Sequence, residues 1–114
     1  MLNGLRKFIE RGRKGYCYED LWNFDNWLSR LIANGLREFK ASCHTYPNDI
    51  DEWDDWMRVL DEMVECFDEQ TRGIDNLPHG ENFISTYNKR MEHKKKKLHR
   101  GLELLERWYY DLWD

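Results

Sequence analysis

Residues 52–69 read EWDDWMRVLDEMVECFDE, and this stretch carries the strongest structural signal in the chain. Its apolar side chains recur at steps of three and four, which places them on one face of an α-helix. They are Trp53, Trp56, Met57, Leu60, Met63, Val64 and Phe67. The pattern predicts a helix over about residues 50–70 that buries this face, with its two tryptophans, in the core.

The rest of this predicted helix is acidic. Its carboxylates are Asp51, Asp54, Asp55, Asp61, Glu62, Glu65, Asp68 and Glu69. Asp54, Asp61 and Asp68 repeat every seven residues, so the carboxylates form a ridge of negative charge. Neighbouring like charges on a helix repel by a few tenths of a kcal/mol per pair. The ridge therefore needs either a counter-charge from elsewhere in the chain or a role in binding.

Length and composition indicate one folded domain. The chain has 114 residues, 40% of them apolar, with six Trp and only two Pro. This is enough for one continuous core and too little for two. We expect a single helical domain over residues 1–114, with an acidic helical body at 16–75 and a basic C-terminal helix at 82–113 that projects from it.

The cysteines and the apolar runs bear on the compartment. Cys17, Cys43 and Cys66 are odd in number and lack a C-x-x-C pair, which fits neither a disulfide framework nor a zinc site. No apolar run is long enough for a membrane span or a signal peptide. We expect reduced cysteines and a cytoplasmic protein that does not bind membranes.

Charge is segregated along the chain. Residues 1–18 carry five Lys/Arg against one Glu, residues 19–81 carry five against sixteen carboxylates, and residues 82–107 carry eight against three. Segments of opposite sign in a small domain usually fold against one another. Internal neutralisation is the favoured interpretation, and an external charged partner is the alternative.

Helical spacing extends to three further segments. The periodicity predicts helices over about residues 2–13 and 19–40, and a long one after residue 82. Asp49 and Glu52 have capping-box spacing at the start of the acidic helix. The predicted fold class is therefore all-α, a bundle of about four helices with a long, partly heptad C-terminal helix.

The last helix has heptad character. Apolar residues spaced by seven are Ile84, Met91, Leu98, Leu105 and Leu112. Lys94 and Gly101 interrupt a continuous seam, so we expect a bend near Gly101 and a Lys94–Lys97 turn that projects. These five residues are the candidate oligomerisation surface of a homodimer.

A basic run lies in the same helix. Its cations are Lys89, Arg90, Lys94, Lys95, Lys96, Lys97 and Arg100. They could bind a phosphate backbone without sequence preference, but they circle the helix, and a pI near 5.6 opposes long-range attraction. Direct nucleic-acid binding is thus less favoured than docking of this run onto the acidic helix.

Catalytic patterns are weak. Glu62 and Glu65 have the spacing of helical carboxylate pairs that hold Mg²⁺, but no second paired motif accompanies them. Cys43 and His44 are adjacent, and adjacent side chains point in different directions. We therefore predict no catalytic residue, no metal ligand and no cofactor.

Three motifs support a resemblance. Residues 15–25 read GYCYEDLWNFD, a Tyr-Pro turn follows at 46–47, and a Trp-containing acidic helix ends in Phe67. Over about residues 8–69 the chain resembles a family of small, uncharacterised proteins encoded by bacteriophages. The family has no agreed activity, so the resemblance implies an origin and no mechanism.

The resemblance suggests a phage accessory protein acting in an infected bacterium. Small, acidic, helical phage proteins without catalytic motifs resemble inhibitors of host proteins, including anti-CRISPR proteins. We expect a non-enzymatic inhibitor whose acidic face mimics nucleic acid and occupies the basic channel of a host nucleic-acid-handling or defence protein. The alternatives are a phage assembly protein that oligomerises through its last helix and a direct nucleic-acid binder.

Overall fold

The structure is a computed structural model that describes residues 2–73 and 82–114. Four α-helices dominate it, namely α1 (Leu2–Lys14), α2 (Phe24–Ser42), α3 (Trp53–Thr71) and α4 (Phe83–Trp108). Short 3₁₀ helices span Tyr18–Asn23 and Tyr109–Asp111. No strand occurs in these two ranges. The predicted all-α bundle with a long C-terminal helix is confirmed, whereas the extent of the domain stays a prediction.

Helix α3 is the centre of the molecule. Helices α2 and α4 both pack along it and scarcely touch each other. Trp56, Leu60 and Met63 of α3 are completely buried, and Trp56 meets Trp108 edge to face with ring centroids 5.5 Å apart. The prediction that both α3 tryptophans lie in the core is correct for Trp56 but wrong for Trp53, which is 37% exposed.

Helix α4 packs tightly against α3 at Gly101. A Cβ atom added at Gly101 would lie 2.8 Å from the Cβ of Cys66 and 3.2 Å from the Phe67 ring. Carbon atoms do not approach this closely, so only glycine permits the crossing at this distance. The glycine that interrupts the heptad pattern is therefore a packing residue.

The predicted capping box at the start of α3 is wrong. The helix begins at Trp53 with Glu52 as its N-cap residue, and no side chain makes the capping hydrogen bond. The Pro47 carbonyl accepts a hydrogen bond from the Ile50 amide, a turn that keeps Asp49 outside the helix. Asp49 instead pairs with Arg107 of α4.

Helix α1 lies outside the core and has no buried residue. Its charged side faces the first 3₁₀ helix. Arg11 makes two hydrogen bonds to Asp20, Arg6 pairs with Glu19 at 2.5 Å, and the Tyr18 amide donates to Glu10 at 2.9 Å. Gly15, at a φ of 85°, makes the turn between the two elements. Ion pairs and hydrogen bonds therefore link α1 to the rest of the chain.

Candidate functional site

Most of the predicted acidic ridge is neutralised within the chain. Six of its eight carboxylates form ion pairs. The pairs are Asp55–Arg58, Asp61–Lys40, Glu62–Arg100, Glu65–Arg72, Asp68–Arg37 and Glu69 with both Arg72 and Arg90. The expectation that the acidic face of α3 is left uncovered for docking is therefore wrong for most of its length, because cations of α2, α3 and α4, and Arg72 just after α3, supply the counter-charge.

Glu69 is a core residue with 2% of its surface exposed, so it cannot contact a partner. Burial opposes ionisation, but hydrogen bonds from Arg72 and Arg90 outweigh it and hold the pKa of the Glu69 carboxyl below its ordinary value. A hydrogen bond from Arg72 likewise lowers the pKa of Glu65. These two carboxylates are committed to structure.

The predicted lysine projection is wrong at its first residue. Lys94 is buried, and its ammonium group donates to the main-chain carbonyls of Glu69 and Arg72 at 2.5 and 2.7 Å. These carbonyls lie at the carboxyl end of α3, where a helix lacks its own donors. Burial lowers the pKa of the Lys94 ammonium group. Lys94 thus caps the carboxyl end of α3.

The other six cations of the basic run differ in their pairing and exposure. Arg90 and Arg100 pair with α3 carboxylates, while Lys89, Lys95 and Lys96 are exposed. Lys97 is half-buried. Nucleic-acid binding by this run stays a prediction that now rests on fewer cations.

The amino-terminal end of α3 keeps its negative charge. Asp51, Glu52 and Asp54 are exposed and have no ion-pair partner within residues 2–73 and 82–114. Trp53 lies among them and meets the Tyr46 ring edge to face at 6.2 Å. The part of the ridge that remains available to a partner is this first turn, together with Asp51 and Glu52 just before it.

A cleft of about 400 Å³ opens beside this turn. Its walls are Thr45, Tyr46, Pro47, Asn48, Asp111, Trp113 and Asp114. Tyr46 belongs both to the cleft and to the contact with Trp53. Hereafter the acidic end means these cleft residues together with Asp51, Glu52, Trp53 and Asp54.

Contacts between distant residues build the cleft. The Asp114 carboxylate accepts a hydrogen bond from the His44 main-chain amide at 2.7 Å and meets the His44 ring Nδ1 at 2.7 Å. These interactions lower the pKa of Asp114. Carboxylates beside exposed aromatic rings are the surroundings that a lysine or arginine side chain prefers.

Four of the five predicted heptad residues line the space between α2 and the C-terminal segment, although the last of them, Leu112, lies beyond the end of α4 at Trp108. Met91 and Leu98 line a groove of about 500 Å³ between the two helices, and Leu105 and Leu112 line an adjoining one of about 280 Å³. Ile84 lies beyond both grooves and is 69% exposed. The oligomerisation role of these residues stays a prediction.

The catalytic candidates are not brought together. Glu62 and Glu65 pair with different arginines, and Glu19 and Asp20 are engaged by α1. Among the described residues no three His, Cys, Asp or Glu side chains are grouped so as to hold a metal ion.

The Cys43–His44 pair does not look like an activated thiol. Cys43 is buried, and burial raises the pKa of its thiol, which disfavours the reactive thiolate. The His44 ring meets Asp114.

The sequence pattern did not predict the cleft because its walls come from two distant segments, residues 45–48 and 111–114. The signal available was compositional, since both segments combine aromatic and acidic or amide side chains. Nothing in their spacing places them together.

Within the described ranges, no helix combines the length and the apolar content that crossing a bilayer requires. No protein-family model, no curated protein and no solved structure matches the chain.

Proposed function

We propose that this chain is a non-enzymatic binding protein whose acidic end docks on a basic surface of another protein. The observation that carries the proposal is that Asp51, Glu52 and Asp54 lack ion-pair partners among the described residues, although most of the α3 carboxylates have one. Charges left without a counter-ion attract basic partners over long distances. The adjoining cleft supplies aromatic walls around an inserted cationic side chain.

The class of partner follows from charge and from the sequence resemblance. Proteins that handle nucleic acid carry basic channels, and a cluster of carboxylates complements such a channel as phosphates do. The resemblance to phage-encoded proteins adds a setting, the cytoplasm of an infected bacterium. The proposed partner is therefore a host nuclease or another anti-phage defence protein, which the chain inhibits in the manner of an anti-CRISPR protein.

The acidic end is a smaller site than a mimic of a nucleic-acid strand would need. Six of the α3 carboxylates are paired, and the positive charge beside each of them weakens the negative field that a partner meets. Binding should therefore depend on a few side chains, which is the usual distribution of energy in protein interfaces.

The test is capture from bacterial lysate on the immobilised protein, with the bound proteins identified by mass spectrometry. We expect one nucleic-acid-binding protein in stoichiometric amount, released between about 0.1 and 0.5 M salt as the charges are screened. The variant Asp51→Asn, Glu52→Gln, Asp54→Asn should lose it, and Trp113→Ala should weaken it.

A charge-matched control separates a site from a general effect of net charge. Glu38, Glu92 and Glu106 are exposed and lie outside the acidic end. Changing all three to Gln removes the same charge, so this variant should still capture the partner. Equal capture by the acidic-end variant and the wild type would contradict the proposal, as would loss of capture by both variants.

A further inference from the structure

Helix α1 orients its polar and apolar faces in the opposite way to an ordinary surface helix. Its charged side faces its own chain, whereas its apolar stripe of Leu2, Leu5, Phe8 and Ile9 faces solvent. Leu2 is 85% exposed and Phe8 is 76% exposed. An amphipathic helix normally buries this stripe, and contiguous apolar surface marks an interaction site.

The chain also contains an unfilled groove of matching character. Helices α2 and α4 both pack on α3 but scarcely touch each other, so a groove runs between them over the surface of α3. Its apolar lining comprises Leu28, Ile32, Phe67, Met91, Leu98 and Leu102, and Ile32 also lines the neighbouring cavity beside Leu105. We call these two cavities, which share Ile32, the helix groove.

We propose that the helix groove binds α1 of a second copy of this chain, so that two copies exchange their first helices. Leu2 and Ile9 are seven residues apart, as are Met91 and Leu98 on the wall of the groove. Equal spacing lets the two stripes interdigitate as knobs and holes. This assigns Met91, Leu98 and Leu105 of α4, but not Ile84, to contact with α1 of the partner copy.

The dimensions fit a helix of this length. The 13 residues of α1 extend about 20 Å, and the α2 wall of the groove, from Leu28 to Phe39, extends about 17 Å. Two exchanged helices and two grooves would together bury on the order of 1,500 Å², the size of a standard stable interface.

The ion pairs between α1 and the first 3₁₀ helix, which we call the tether, favour insertion of α1 into the groove of a second copy over insertion into the groove of its own chain. Arg6 and Arg11 hold the charged side of α1 against Glu19 and Asp20 and point the stripe away from its own core. A reciprocal exchange fills both grooves, satisfies both stripes and closes with twofold symmetry. No ion pair of the tether has to break.

Sedimentation velocity on the full chain at about 100 µM tests the proposal, and we expect a dimer, since interfaces of this size are commonly stable at such concentrations. The variants Leu5→Glu/Phe8→Glu and Leu98→Glu should each raise the dissociation constant at least tenfold. Since α1 has no buried residue, the first variant keeps the fold, which circular dichroism would verify. Ile84→Glu is the matched control, because Ile84 is exposed and outside the groove, and it should leave the dimer intact.

A crosslinking experiment identifies the occupant. Phe8 is replaced by the photo-reactive residue benzoylphenylalanine, and this chain is mixed with an excess of ¹⁵N-labelled wild-type chain before irradiation. We expect peptides that join α1 of the unlabelled chain to α2 or α4 of the labelled chain.

Several results would overturn the proposal. They are a monomer at 100 µM, a dimer that survives the α1 variant, a dimer abolished by Ile84→Glu, and crosslinks confined to one chain. The acidic-end variant should remain dimeric, so the proposed function and this inference can fail separately.

Discussion

The Lys94 ammonium group donates a hydrogen bond to the main-chain carbonyl oxygen of Glu69 at 2.5 Å, so a side chain of α4 caps the carboxyl end of α3. The main-chain carbonyl of Lys94 in turn accepts from the Gln70 side chain at 2.9 Å. Two helices that are separate in sequence thereby satisfy each other's polar groups. This pair explains why one lysine of a basic run is buried.

Replacing Lys94 with Met should lower the free energy of unfolding by about 1–2 kcal/mol, because two carbonyls lose their charged donor. Lys96→Met is the control. Lys96 is exposed and forms an exposed ion pair with Glu92 one turn away, so its loss should cost less than about 0.5 kcal/mol. Urea unfolding at neutral pH measures both, and equal effects would argue against the capping role.

Glu69 should make the free energy of unfolding depend on pH. Its folded-state pKa is lowered, so between that pKa and the ordinary value of 4.5 the unfolded chain binds more protons. The contribution of Glu69 is therefore complete above the unfolded pKa and is lost as pH falls through the folded pKa. Glu69→Gln should cost about 2 kcal/mol at pH 7 and progressively less below pH 4.

Urea unfolding across pH 3–8 checks this, with Asp61→Asn as the comparison. Asp61 forms an exposed pair with Lys40, so its variant should stay within about 1 kcal/mol of the wild type. A Glu69→Gln deficit that does not change with pH would show that packing, not charge, accounts for the loss.

Gly101→Ala should destabilise the protein although Ala favours helices by about 1 kcal/mol. The added methyl group meets Cys66 Cβ, which is fixed to the α3 main chain and cannot rotate away. Overpacking of this kind costs about 1–3 kcal/mol, so a net loss is expected. Gly35→Ala in α2 meets no atom within 4 Å and should instead stabilise. Thermal unfolding compares the two.

Asp20→Asn should release α1 without unfolding the core. Asp20 accepts two hydrogen bonds from Arg11 and one from the Cys17 amide, and these interactions hold the pKa of its carboxyl well below the usual range. At low micromolar concentration trypsin should then cleave after Arg13 several-fold faster, because local opening governs proteolysis. Asp25→Asn, on an exposed turn of α2, should leave the rate unchanged.

Helical periodicity predicts the positions of α1 and α3 and the start of α4 closely, but α4 ends at Trp108 and not at residue 113, so Leu112 lies outside it. For the second helix it predicts one continuous segment from Glu19, where the structure has a 3₁₀ helix over Tyr18–Asn23 and α2 from Phe24. Local spacing reports which face is apolar and says little about how a helix begins. The same limit explains the capping box that does not form at Asp49.

The site is less predictable because it depends on helix crossings. Charge segregation does predict that opposite segments pair, and Arg100 with Glu62 is an example. It cannot say which carboxylates stay unpaired, since that depends on which turn of α3 extends past its neighbours. Likewise, the burial of Glu69 and Lys94 follows from the register of α3 against α4, which no local pattern encodes.

Helices α2 and α4 share a neighbour in α3 but scarcely contact each other. Changes on the outer surface of one should therefore combine additively with changes on the other, as distant substitutions generally do. With this arrangement, surface residues of α2 can be substituted while α4 keeps its structure, and the reverse also holds. Helix α3, which packs against both neighbours, is expected to tolerate substitution least.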